Sequence, residues 1–448
     1  MNQFLEGISN SLADFSLATA AEFFKETSRN AVFSPYSLFI ALFLTSAVNP
    51  PVSQQILKRL SFPNTEISQI DQIMQLKYLV KNIETVPPFK RPFNSPSFEN
   101  FINNYNFTDD QKHIAYVILK KMTNKEKTDL PNEREKKFEY FLEKVTNGFD
   151  GNESSSLSKR VKSYKHLIKK DLVKYPVIAG SNFLFINSKT NFSLSDRVLK
   201  RMRDFIFETE FPSPGYELIN EKVNLCTRGL IPNFLTPSDL SQSSLFLAVN
   251  TIYFKAKWEN KFSRTNQQIP FYSFNDKETP TDFIKSTVST KVYDRDGIVY
   301  IKLNYFRTQF VFEILMPKTI DHKKVDSELF NEFKQKAYHE NFFIKYEKRA
   351  RESTVFLMMP KFTIKTELMN FDKAINIPLL DSIVQKVVMI VNEEGTEAAA
   401  ASGVQIKSAR LDDPKVIKID HPFIFVIRDP ATQGILFMGE FYAPEETK

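Results

Sequence analysis

The chain has 448 residues, 42% hydrophobic and 25% charged, which is enough apolar material for one large domain or two to three ordinary ones. A net charge of +7, from 60 basic and 53 acidic residues, is mild for this length and argues against general nucleic-acid binding. The single cysteine, Cys226, excludes an internal disulfide.

The N-terminal "MNQFLEGISNSLADF" carries Phe4, Ile8, Leu12 and Phe15 at helical spacing, so a helix is expected over residues 2–28. It has no basic n-region and no continuous apolar core. No cleavable signal peptide is therefore read, and a cytoplasmic or non-classically exported, surface-associated protein is expected. "NAVFSPYSLFIALFL" predicts a short strand, a turn at Ser34-Pro35 and a buried helix. Its apolar run at 38–44 is too short to span a bilayer. "PVSQQILKRL" at 51–60 predicts a further helix.

The character changes over residues 75–158. Pro87, Pro88, Pro92 and Pro96 cluster there, and "TNKEKTDLPNEREKK" is densely charged. The stretch reads as an insertion of helical pieces and loops, either a solvated region or a docking surface for a partner. Sequons at Asn106, Asn152 and Asn191 matter only in a secretory compartment. "SKRVKSYKHLIKKDLVK" follows at 158–174. At 100° per residue, Val161, Tyr164, Ile168 and Leu172 form an apolar stripe. Lys159, Arg160, Lys162, Lys165, Lys169, Lys170 and Lys174 spread mostly over the other side with His166. Two readings stand: a solvated lysine-rich face, or a site for a polyanion such as a sulfated polysaccharide.

"YPVIAGSNFLFIN" at 175–187 predicts a strand, and helices are expected over 194–205 and 216–230. "SSLFLAVNTIYFKAKW" at 243–258 reads as a long strand buried on both faces. More strands follow through 299–317, and "IVQKVVMIV" at 383–391 is another two-sided strand. "VIKIDHPFIFVIRDPATQGILFMGEF" closes the chain as two strands joined by a turn at Asp429-Pro430. Helices dominate the first half and strands the second, which favours an α+β fold with large sheets.

No chemistry-bearing constellation emerges. His113, His166, His322, His339 and His421 do not pair at metal-ligand spacing. His339-Glu340 begins like a zinc-protease motif, but Phe343 stands where the second histidine belongs. Gly-rich phosphate loops and the G-x-S-x-G elbow are missing. No enzyme, metal or cofactor is expected.

The informative stretch is "NEEGTEAAAAS", residues 392–402. Four consecutive alanines favour a helix by propensity. Yet they follow a β-branched strand and precede the polar "KSARLDDP". If residues 395–403 enter a sheet as a strand, Thr396, Ala398, Ala400 and Ser402 share one face. All four are small and can slip under a packed core without overpacking it. Glu397, Ala399, Ala401 and Gly403 take the other face, and Gly395 supplies a hinge.

Here the chain resembles the serpin family. "NEEGTEAAAAS" looks like the hinge of a reactive-centre loop, with Glu393, Glu394, Gly395, Thr396, Glu397, Ala398, Ala399, Ala400, Ala401 and Ser402 at its positions. "IKIDHPFIFVI" and "ILFMGEF" are similar to the C-terminal signature. "VNTIYFKAKW" resembles the central-sheet strand, with Asn250 and Trp258 matching, and "VFSPYSL" the element behind that sheet, with Ser34 and Ser37. "INEKVNLCTRGLIPNFL" resembles the helix crossing the front of the sheet.

The resemblance implies a single domain over 1–448 with three β-sheets, eight or nine helices and an exposed loop at about 393–416. It also implies an inhibitor that traps a serine protease covalently as its severed loop enters the central sheet, acting as a monomer without cofactor. A non-inhibitory carrier or chaperone on the same fold is the alternative. Arg410-Leu411 is the expected reactive bond, because a basic side chain suits the acidic pocket of a trypsin-like protease. Lys407 lies closer to the hinge, and the family's usual count from Gly395 lands on Ala409, which would suit an elastase-like enzyme. Gln385 replaces the usual histidine behind the sheet, and its amide can donate and accept. The segment 360–385 is shorter than usual, so one surface helix is expected to be reduced or missing.

Overall fold

The computed structural model describes residues 2–62, 177–396 and 414–444, apart from 26, 49, 191–193, 195–201, 203–204, 227–230, 232, 275–276, 307, 319–326, 378–382 and 432. The 75–158 insertion and the basic stretch 158–174 lie outside the described residues.

Helix α1 (Asn2–Phe23) buries Leu12, Phe15 and Ala20 and leaves Asp14 exposed, the one-sided pattern its spacing predicts. Of the four apolar residues expected on its stripe, the side chains of Phe4 and Ile8 lie outside the description. Strand β1 (Ala31–Phe33) leads through Ser34 to α2 (Pro35–Val48). Pro35 opens α2, where a missing N–H costs nothing. From Tyr36 to Ala47 this helix is buried all round, so it has no polar face. Helix α3 (Pro50–Arg59) packs against it.

The chain continues through β2 (Val177–Asn187), β3 (Ile206–Thr209), α4 (Gly215–Cys226) and β4 (Phe246–Lys257). Then come β5 (Ser263–Arg264), β6 (Ile269–Tyr272), β7 (Glu278–Thr281), β8 (Phe283–Arg295), β9 (Ile298–Asn304) and β10 (Val311–Pro317). Helices α5 (Ser327–His339) and α6 (Phe342–Arg349) precede β11 (Arg351–Pro360), β12 (Phe362–Lys365), β13 (Met369–Asn370) and the one-turn α7 (Asp372–Ile375). The last strands are β14 (Ile383–Gln385), β15 (Val388–Val391), β16 (Gly395–Thr396), β17 (Lys415–Lys418), β18 (Phe423–Arg428) and β19 (Ile435–Phe441).

These strands make three sheets. One runs β1-β19-β18-β10-β9-β8-β11-β17, with β5 on β8. The central sheet runs β12-β15-β16-β4-β14-β13, with β2 on the other edge of β4 and β3 on β2. The hairpin β6-β7 is the third. Both faces of the central sheet are covered. Ala248, Ile252, Phe254 and Ala256 of β4 join the main core with α2 and the larger sheet. Leu247 and Val249 join a second core under Ile219 and Val223 of α4. That is why β4 reads as a continuous apolar run rather than an alternating one. Helix α4 crosses the front of the sheet as its resemblance implies.

Two expectations need correction. Residues 383–391 do not form one strand: β14 and β15 are separated at Lys386-Val387. Val387 N–H donates to Thr366 Oγ1 at 2.8 Å, and Thr366 N–H donates back to the Val387 carbonyl at 3.0 Å. The chain thereby leaves β4 and moves over to β12. The C-terminal stretch likewise holds three strands, because β17 pairs with β11 and ends before Asp420 and His421, well short of β18.

Candidate functional site

The seam between β4 and the β14–β15 segment is closed at its lower end and wedged apart at its upper end. Below, β14 pairs parallel to β4, with Ile383 opposite Ala248 and Gln385 opposite Asn250. Above, β16 inserts antiparallel: Gly395 stands opposite Lys257, Thr396 opposite Ala256, and Val391 of β15 flanks Thr396 on the other side. Among the described residues no strand pairing joins 251–255 to 386–390.

The lower end is a buried, uncharged lock. Gln385 accepts from the Ser34 backbone N–H at 2.7 Å through Oε1. Its Nε2 donates to the Ser34 carbonyl at 3.2 Å and to Asn250 Oδ1. Asn250 Nδ2 donates to Asn182 Oδ1 at 3.2 Å, and Ser37 Oγ donates to the same oxygen at 2.9 Å. Ser34 Oγ donates to the Leu436 carbonyl at 2.6 Å. Ser34, Ser37, Asn250 and Gln385 are fully buried. Buried polar groups persist when all are paired, and this set ties α2, β2, β4, β14 and β19 together. The amide of Gln385 does donate and accept, as its chemistry allows.

The upper end is aromatic and ionic. Trp258 stacks on Tyr305 at 4.7 Å and 8°. Its Nε1 donates to the Asn392 carbonyl at 2.8 Å, and its N–H to the Glu394 carbonyl at 3.0 Å. Thr396 is 2% exposed and its hydroxyl meets the Tyr305 hydroxyl at 2.5 Å. Burial pushes the Tyr305 phenol far up and the Thr396 hydrogen bond only partly offsets it, so this hydroxyl stays neutral. Lys261 pairs with Glu394 at 2.8 Å. Lys361 and Arg264 approach Glu393 at 3.3 and 3.4 Å. Gly395 adopts a φ of +153°, and a side chain there would run into the Ala256 carbonyl and, at 2.8 Å, the Lys257 Cα.

Thus Ser34, Ser37, Asn250 and Gln385 meet at one end of the seam, and Trp258 bonds Glu394 at the other, where Glu393, Gly395 and Thr396 also lie. Glu397, Ala398, Ala399, Ala400, Ala401, Ser402, Lys407, Ala409, Arg410 and Leu411 lie outside the described residues. So do Lys159, Arg160, Lys162, Lys165, Lys169 and Lys170. Sequence reasoning missed Asn182 and Tyr305, whose roles depend on partners far along the chain and leave no local signal. Among the described residues no group of three or more His, Cys, Asp or Glu is placed to hold a metal, and no helix is long and apolar enough to cross a membrane.

A family model described as "Serpin (serine protease inhibitor)" matches residues 132–376 and 369–444. The chain belongs to the serpin family. An uncharacterized serpin-like protein of Acanthamoeba polyphaga mimivirus is 30% identical over 300 residues, covering 60% of this chain and 73% of that one. The leukocyte elastase inhibitor of Bos taurus is 31% identical over 258 residues, covering 52% of this serpin and 67% of the relative. Among solved structures, thyroxine-binding globulin in complex with thyroxine superposes with a TM-score of 0.65 at 17% identity, covering 98% and 99% of the two chains. Native tengpin, a thermophilic serpin, gives 0.62 at 18% identity, covering 99% and 95%. At such identities these two likenesses carry the serpin fold alone.

Proposed function

We propose that this serpin inhibits trypsin-like serine proteases as a suicide substrate, with Arg410-Leu411 as the reactive bond. The protease serine attacks the Arg410 carbonyl, the Leu411 amine leaves, and an acyl-enzyme remains on the upstream part of the loop. The severed loop then enters the central sheet between β4 and β15 and carries the enzyme with it.

The seating of Thr396 carries this reading. It occupies the place where a further strand would begin, on the face of Ala256 and Phe254. Continuing the β16–β4 register puts Ala398 opposite Phe254, Ala400 opposite Ile252 and Ser402 opposite Asn250. The inward set is therefore uniformly small; the partner residues Ala256, Phe254 and Ile252 already belong to the core, and Asn250 is buried in the lock. Residues 397–401 would fill the stretch where no strand pairing is described, and Ser402 would reach the Gln385 lock. About ten new ladder bonds at ~0.5–1.5 kcal/mol each would release on the order of 10 kcal/mol, enough to make the native form a kinetic trap.

Trypsin mixed with the protein should give an SDS-stable complex of combined mass. Cleavage of the loop with full recovery of trypsin activity would overturn the reading. A second reading places the bond after Ala409, the position the family's count from Gly395 gives; the name of the bovine relative, a leukocyte elastase inhibitor, favours it. Arg410→Ala separates the two: it abolishes the trypsin complex in the first and leaves an elastase complex in the second.

A further inference from the structure

The reactive loop rejoins the fold at Lys415, the first residue of β17. Lys415 Nζ lies 2.6 Å from Asp294 Oδ2, and Lys318 Nζ lies 3.1 Å from Asp294 Oδ1. The Lys318 N–H also donates to the Gly297 carbonyl at 2.7 Å, which pins the end of β10 to the β8–β9 turn. Tyr293 joins this corner to α6: its ring packs 4.9 Å from Tyr346, and its hydroxyl meets Asp296 and Arg349. Arg351 opens β11 opposite Val292.

Six exposed cations thus converge where β8, β10, β11, β17 and α6 meet: Arg295, Lys318, Lys348, Arg349, Arg351 and Lys415. Among the described residues three carboxylates accompany them. Asp294 is nearly buried between Lys318 and Lys415, Asp296 is held by Tyr293, and Glu352 stands opposite Lys291. Among the described residues no ion pair engages Arg295, Lys348 or Arg351. A run of charge is ordinarily a solvated face, but the position of this one limits what it meets. Leu411 and Lys415 are four residue steps apart, a span of at most about 14 Å at ~3.6 Å per step. A protease domain of about 220 residues has a radius of gyration of about 17 Å. An enzyme docked at Arg410-Leu411, or one residue earlier, must overhang this corner.

We propose that the cationic shelf is a docking surface for the target protease, and that this protease carries an acidic patch beside its substrate cleft. The proposal rests on the inhibitor reading and adds the partner's chemistry to it. Complementary charge at this distance acts chiefly on encounter, and the shelf speeds association without touching the acylation step.

Anionic and cationic trypsin share a specificity pocket and differ in surface charge, so they serve as probes. The triple variant Arg295→Glu/Lys348→Glu/Arg351→Glu alters only exposed cations free of described ion pairs, and its melting temperature should match wild type. Its association rate with anionic trypsin should fall at least tenfold at low ionic strength, with the gap closing at roughly 0.5 M salt. Its rate with cationic trypsin should hold or rise. Wild type that traps both enzymes while the variant keeps both rates would overturn the shelf and leave the inhibitor reading standing. Wild type that traps neither overturns the inhibitor reading, and the shelf with it. A variant that loses retention on immobilised heparin yet keeps its rate with anionic trypsin would assign the shelf to a sulfated glycan and overturn protease docking.

Discussion

Gln385→Met replaces a fully buried amide with an apolar side chain of similar length and isolates the lower lock of the seam. Two groups lose their partner, the Ser34 N–H and Asn250 Oδ1, while the Ser34 carbonyl keeps the Leu38 N–H at 3.0 Å. At about 1–3 kcal/mol for each orphaned buried group, the cost is on the order of 2–6 kcal/mol. That is a large share of the ~5–15 kcal/mol that hold a domain together. The single tryptophan, Trp258, sits at the upper end of the same seam, so its fluorescence reports the first guanidinium transition directly. That transition should move to distinctly lower denaturant, and the native variant should polymerise or insert its own loop faster. A midpoint equivalent to less than about 0.5 kcal/mol, the range of a neutral surface change, would refute the lock. Gln385→His adds a sign. The Ser34 N–H needs an acceptor, so the folded state favours neutral imidazole and depresses its pKa below the unfolded ~6.5. Stability from that histidine is complete above pH ~6.5 and is lost as pH falls, whereas the wild-type amide lock has no group that titrates there.

Thr396→Arg would force a long cation under Tyr305, at a cost of several kcal/mol for an unpaired buried charge. SDS-stable complex should give way to cleaved serpin, with a smaller rise in melting temperature on cleavage than wild type shows. Salt should loosen the upper end of the seam selectively, because Lys261, Arg264 and Lys361 are all substantially exposed where they hold Glu393 and Glu394. Amide exchange at Gly395 and Thr396 should rise between low and roughly 0.5 M salt while that of Gln385 stays constant. Burial alone would raise the Asp294 carboxyl, but Lys415 and Lys318 hold it below its ordinary value. Its stabilisation is present above the unfolded pKa and lost as pH falls through the folded one, so Asp294→Asn should narrow the stability difference between neutral and acid unfolding curves. Arg428→Met should cost about 3–5 kcal/mol in guanidinium unfolding, because it leaves Glu313 buried without the cation now 2.6 Å away.

What was legible in the sequence is what local pattern can carry. α2 could be read because a run of apolar residues after Ser34-Pro35 has no polar face to offer water. β4 could be read because a strand covered on both sides must be apolar at consecutive positions. Of the glycine and the small-residue run after it, the structure describes only Gly395 and Thr396, seated beside Lys257 and Ala256. The break at Lys386-Val387 was not legible, because both side chains suit a strand and the cause is the Thr366 hydroxyl, far back along the chain, capturing the Val387 N–H. Arg428 likewise carries no local signal of its burial. It precedes the Asp429-Pro430 turn and is 1% exposed, because the β10–β18 pairing and the packing of α6 bring Glu313 and Glu347 onto its guanidinium. Tyr305 carries no signal at all in "LNYFRTQF", since its value lies in meeting a threonine that arrives about ninety residues later. Pattern thus reports which face of an element must be dry, while the choice of partner across the seam is set by pairing register. The register places Thr396 opposite Ala256, and under the proposed insertion this one pairing would give the small side chains a defined order of entry, from Phe254 down to Asn250.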